Sequence, residues 1–202
     1  VDNSSTNQTI ELLPSTTYSG NISYTGKDYL KIAGASNGTS VIDGNITLTN
    51  CTDFDLSNLK MHNGHSITIN SSSGSDTHFI TFMGSGSIEQ YSGNLNDASG
   101  IVHNASSTSA AIYYYNTSGN AWGVDITDHD FGIWATANAS MNVSTSTFCD
   151  NMLDLYANSG GYIYAPNNTM SAPWPQSIAG NVTGYSNDVC SKQLSKSDLL
   201  AD

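Results

Sequence analysis

The sequence predicts an all-β solenoid, in which short strands stack as successive rungs of about 22 residues. Three observations predict it. Short β-type stretches recur: Tyr29–Ile32, Phe54–Leu56, Phe79–Phe82, Gly100–Val102, Gly123–Ile126, Met141–Val143 and Tyr162–Tyr164. Taking Ile32, Leu56, Phe82, Val102, Ile126, Val143 and Ile163 as equivalent gives steps of 24, 26, 20, 24, 17 and 20 residues. Within the repeats, apolar and small polar residues alternate, as in Ile46-Thr47-Leu48-Thr49, Ser66-Ile67-Thr68-Ile69 and Met141-Asn142-Val143-Ser144. Period-two alternation turns one side chain into a core and the next outward. Between the stretches stand Asn37-Gly38, Asn63-Gly64, Ser73-Gly74 and Ser159-Gly160-Gly161, whose residues accept the left-handed backbone of tight turns.

Composition agrees with this reading. Ser and Thr number 51 and Asn 22 of 202 residues, a poor mixture for long helices. Seventeen acidic residues stand against five lysines, with no arginine, for a net charge of −12. A surface so poor in cations excludes phosphate recognition, so no nucleic-acid partner is expected. No apolar run approaches the length of a membrane span, so no membrane insertion is expected. The Val1-Asp2-Asn3 start fits a mature secreted protein or an excised piece. The expected location is extracellular or at the cell surface.

The segments Phe131–Ala135 with Asn142–Asn151, Gly160–Asn168 and Asp53–Gly64 resemble right-handed parallel β-helix repeats of the pectate-lyase-like fold. The resemblance implies a right-handed parallel β-helix of about seven rungs with a non-repetitive C-terminal cap. It also implies asparagines stacked rung upon rung, for which Asn63, Asn151 and Asn168 are candidates. The expected organisation is a polar N-terminal arm over 1–8, the β-helix over 9–170 and a cap or tail over 171–202. Pro173, Trp174 and Pro175 break the cadence there, and Ser191–Asp202 is the one plausible short helix.

The fold invites a search for polysaccharide chemistry. Lys27, Lys31 and Lys60 stand in no recognisable motif and read as solvated strand positions. Asp125, Asp128 and Asp130, with His129 between the last two, form the best carboxylate cluster. Alternation puts Asp128 and Asp130 on one face, as a pair of hydrolytic carboxylates requires. Aspartate is equally an ordinary turn residue, and Asp53 and Asp55 pose the same question. The histidines are His62, His65, His78, His103 and His129. The His62/His65 spacing of three would share a helix face, but the local pattern is strand and turn. No metal site and no cofactor are expected.

Cys51, Cys149 and Cys190 have no metal-binding spacing. In an oxidising compartment one pair can close, leaving a third thiol either buried or available to cross-link chains. Asn-x-Ser/Thr sequons occur at Asn3, Asn7, Asn21, Asn37, Asn45, Asn50, Asn70, Asn104, Asn116, Asn138, Asn142, Asn167 and Asn181. That is roughly twice the chance number for this composition, which suggests covalent glycans. Of Tyr113-Tyr114-Tyr115 at least one must face outward, to stack on sugar or on another subunit.

Sequon density and acidity resemble archaeal surface-layer and cell-sheath proteins. The expected function is therefore an extracellular structural glycoprotein, not an enzyme, whose partners are further copies of itself in a sheath, surface layer or filament. One alternative is a carbohydrate-active β-helix enzyme or tailspike-like glycan depolymerase using Asp125, Asp128 or Asp130. Another is an adhesin or ice-binding solenoid presenting the threonines of Thr47-Leu48-Thr49 and Thr145-Ser146-Thr147.

Overall fold

The computed structural model describes residues 7–171, 178–185 and 190. Asn3, the Pro173–Pro175 stretch, the expected helix over 191–202 and most of the polar arm lie outside the described residues. The chain is a right-handed parallel β-helix, and no helix occurs among the described residues.

Each rung contributes one strand to each of three parallel sheets, here A, B and C. The first rung holds β1 (Gln8–Glu11), β2 (Thr17–Ser19) and β3 (Ile22–Thr25). The second holds β4 (Leu30–Ala33), β5 (Ser40–Asp43) and β6 (Ile46–Thr49). In the third, β7 (Asp55–Met61) serves sheets A and B and β8 (Ile67–Asn70) serves C. In the fourth, β9 (Asp76–Phe82) serves A and B and β10 (Ile88–Gly93) serves C. Beyond it come β11 (Asp97–Ser99), the long β12 (Val102–Trp122) and β13 (Asp125–Thr136), which span the corners of the fifth and sixth rungs. The seventh holds β14 (Ser140–Ser144), β15 (Thr147–Cys149) and β16 (Leu153–Ala157). Last are β17 (Tyr162–Tyr164), β18 (Ile178–Gly180) and β19 (Val182–Thr183). The stack thus has eight rungs and the first strand of a ninth, and parallel pairing runs on to Thr183.

Register explains the core. In sheet C, Ile22, Ile46, Ile67, Ile88, Ile112, Ile133, Leu155 and Ile178 stack in one inward ladder. Like side chains repeated at one strand spacing pack without gaps, and each buried aliphatic contributes roughly 1.5–3 kcal/mol. Sheet B stacks Tyr18, Ile42, Met61, Phe82, His103, Ile126 and Phe148.

The equivalence assumed from sequence needs correction. Ile32, Leu56 and Val143 share a column in sheet A, whereas Phe82 and Ile126 belong to sheet B. Val102 sits one position from Phe82's column, at Thr81, and Ile163 two positions from Val143's, at Met141. Three sheets present similar apolar alternation, so spacing alone does not say which face a strand belongs to.

The asparagines also differ from a single ladder. Asn151 accepts from the His129 N–H at 2.9 Å and donates to the Ile126 carbonyl at 3.0 Å. Asn168 does the same for Ser146 and Val143, but at the corner between sheets A and B. Asn96 bridges Ser72, Ser75 and Thr117 where sheet C turns to A. Asn63 is exposed, and its Oδ1 accepts from Ser85 N. Each corner therefore has its own buried amide satisfying backbone groups that the turn removes from the ladder.

Cys149 and Cys190 form a disulfide, and Cys51 is free and fully buried. Of the two readings of the odd thiol, the buried one holds for Cys51: its side chain lies in the core among apolar neighbours.

Candidate functional site

The corner between sheets B and C changes along the stack, and this builds a groove. In the first two rungs only a few residues separate the sheets, from Ile42 to Ile46 for example. In the fifth rung the same passage runs from His103 to Ile112, with register irregularities at Asn104/Ser107 and Ser107/Ala110. Between this passage and the next two corners lies a groove of about 410 Å³, lined by Ser107, Thr108, Asp128, His129, Asp130, Asp150, Asn151 and Met152.

Asp128 and Asp150 follow the register pair Thr127 and Cys149, so they occupy one position in successive rungs. Both adopt left-handed backbone, φ 63° and 58°, which places them at the apex of equivalent turns. Their Cα atoms are consequently about one strand spacing, ~4.8 Å, apart. Asp130 reaches the same groove two residues on, as period-two alternation requires. His129 points the other way and is buried. Its Nδ1 lies 2.7 Å from the Thr127 carbonyl and its Nε2 3.4 Å from Nε2 of His103. Burial pushes the His129 imidazole below its ordinary range, although Asp128 and Asp130 pull the other way. Beneath the groove, buried Asp154 accepts from Asn151 Nδ2 at 3.0 Å and Ser171 Oγ at 2.8 Å. These bonds hold the groove floor rigid.

Of the carboxylates singled out from sequence, the structure brings Asp128 and Asp130 together and adds Asp150. Asp125 lies on sheet B in register with Val102 and Thr147 and does not line the groove. Asp55 instead pairs with Lys31 at 2.8 Å on sheet A. Asp53 is an exposed turn residue with φ 48°. Lys60 is half-buried on sheet B, Lys27 is almost buried, and neither lines the groove. His78 lies between Asp55 and Asp76, at 3.6 and 3.4 Å.

An aromatic stripe adjoins the carboxylates. On the outward face of sheet C, Glu89, Tyr113, Trp134 and Tyr156 occupy one register column. Tyr113 meets Trp134 edge-on at 5.2 Å, Trp134 meets Tyr156 at 5.5 Å, and Phe131 stacks on Tyr156 at 5.4 Å. Trp134 Nε1 donates to Asn158 at 3.1 Å, and Asn158 donates to the Tyr156 hydroxyl at 3.0 Å, so the rings are held in place. Tyr91 donates to Glu89 and its phenol is pushed up to about 12, first by burial and then by the Glu89 charge. A second recess of about 290 Å³ lies along this stripe and shares Thr108 with the carboxylate groove.

Tyr114 is fully buried, Tyr113 half-buried and Tyr115 exposed. Sequence reasoning missed Trp134, Tyr156, Phe131 and Asp150. The signal was present: Tyr113, Trp134 and Tyr156 recur at rung spacing, as do Asp128 and Asp150. Among described sequons, the asparagines are exposed except Asn70, which is half-buried. No described helix is long and apolar enough to cross a membrane.

Register and corner geometry define the class: a three-sheet parallel β-helix with a grooved corner. No family model and no curated protein matches the chain. A solved structure similar to it is the endo-xylogalacturonan hydrolase from Aspergillus tubingensis, at 13% identity and a TM-score of 0.41. The likeness covers 83% of this chain and 60% of that one, and it extends to the fold alone. The expectation that this chain is no enzyme is not upheld: the solved structure it resembles is described as a hydrolase, an activity stated of that protein alone.

Proposed function

We propose that this chain is an extracellular carbohydrate-active β-helix that lays a glycan along the aromatic stripe and cleaves it at Asp128, Asp130 and Asp150. One observation carries the reading: the stripe and the three-carboxylate groove are continuous, meeting at Thr108. Aromatic faces take the apolar faces of sugar rings, and their hydroxyl and indole edges take the polar rim. Glycoside hydrolysis needs two carboxyl groups flanking the scissile bond, one to protonate the leaving oxygen and one to act as base or nucleophile, and the groove offers three.

The preferred substrate is a neutral polysaccharide. The chain carries a net charge of −12, has no arginine, and places three aspartates in the groove, which repels a uronate polymer. The disulfide and the exposed sequons favour an oxidising, extracellular setting with covalent glycans. Retardation of the protein in gels containing neutral polysaccharides, with release of reducing ends from the polymer retained, tests the reading. Absence of retardation across neutral polymers would overturn it.

A further inference from the structure

We propose that Asp43, His62 and His65 form a binding site for a divalent transition-metal ion of the zinc type, on the same B–C edge as the groove but near the N-terminal end. Asp43 closes β5, and Ile42 stands in register with Met61, so Asp43 and His62 meet across adjacent rungs. The turn over Asn63 and Gly64 (φ 81°) then folds His65 back, with its N–H donating to the His62 carbonyl at 3.2 Å. The two imidazoles converge on one oxygen. His62 Nδ1 lies 3.1 Å and His65 Nε2 3.2 Å from Asp43 Oδ1, and all three ligand atoms lie within 4.8 Å of one another. The Ser19 hydroxyl donates to the other carboxylate oxygen, Oδ2, at 3.4 Å.

These separations suit a shared metal ion as well as they suit hydrogen bonds to the carboxylate. Bonds of about 2.0–2.1 Å in a tetrahedron put neighbouring ligand atoms about 3.3 Å apart. Two nitrogens and one oxygen suit zinc or its first-row neighbours, whereas calcium and magnesium favour six or more oxygens. The side chains are half-exposed, at 51% for His62, 30% for His65 and 38% for Asp43, so an ion can enter and the fourth position faces solvent. The sequence hides the site because its carboxylate arrives from the preceding rung. Binding would staple the second corner to the third without touching the carboxylate groove, and the proposal stands independently of the glycan reading.

Titration of the chelator-stripped full chain with zinc, followed by calorimetry, tests it. One ion per chain is expected, with affinity falling about tenfold or more in His65→Ala and Asp43→Asn and unchanged in Asp150→Asn. Cobalt provides a second measurement on the wild type: a visible band of tetrahedral intensity is expected, and it should vanish on adding zinc. No stoichiometric uptake, uptake that survives His62→Ala/His65→Ala, or uptake lost in Asp150→Asn would overturn the proposal.

Discussion

The same corner of the β-helix is built in two ways. Between sheets B and C the early rungs turn tightly, and the outward side chains there are short-range polar partners: Asp43 with His62 and His65. From the fifth rung the corner lengthens, and Ser107, Asp128, Asp130 and Asp150 surround a recess flanked by Tyr113, Trp134 and Tyr156. The core ladders scarcely notice the change, since Ile46, Ile67, Ile112 and Ile133 stay in one column throughout. A solenoid corner can therefore gain residues without disturbing the rungs, because neighbouring rungs supply the pairing on both sides. Length at one corner makes the groove, and side-chain type makes its chemistry.

The largest expected effect breaks the late corner chemically. Asp150→Asn should lower polysaccharide hydrolysis by about a hundredfold or more while the protein stays folded, as followed by reducing-end release. Trp134→Ala should abolish gel retardation on the same polymer, with circular dichroism unchanged. Two stability tests compare the halves. Leu56→Ala, in the early core, should cost about 2–5 kcal/mol by urea unfolding, because its fully buried side chain leaves a cavity. Cys149→Ser with Cys190→Ser, in the late half, should cost about 2–4 kcal/mol, since it frees a loop of 41 residues in the unfolded chain.

A smaller effect is set by pH. His103 stacks on Phe82 at 4.6 Å, and burial lowers its imidazole from 6.5 to about 4. Below pH 6.5 the unfolded chain takes up a proton that the folded chain refuses until about pH 4. Stability should be full above pH 6.5 and fall through that window by at most about 3 kcal/mol. His103→Gln should flatten the slope of urea midpoints between pH 7 and 4.5, though His129, lowered in the same sense, retains part of it. Smallest of all, Lys31→Ala should change the unfolding free energy by less than about 1 kcal/mol in urea, because the Lys31–Asp55 pair is partly exposed.

Much of the fold was legible because rung length is set by the chain itself. Alternation in Ile46–Thr49 and Ile67–Asn70, and turn residues at Asn37-Gly38 and Ser159-Gly160, are local consequences of backbone chemistry. Asp128 and Asp130 were visible as a pair because two residues along a strand share a face.

Column membership was not legible. Whether Phe82 stacks above Leu56 or above Met61 depends on which of three sheets each strand joins, and only the register decides that for Met61. The same physics hid Asp150 beside Asp128, Trp134 between Tyr113 and Tyr156, and Asp43 between His62 and His65. Sequence by itself determined the solenoid, its acidity and its sequon-rich surface, all of which follow from local composition and period. Tertiary structure alone decided the groove, the aromatic stripe and the Asp43 cluster, because each joins residues of successive rungs, about 20 positions apart in sequence, where only stacking brings side chains into contact.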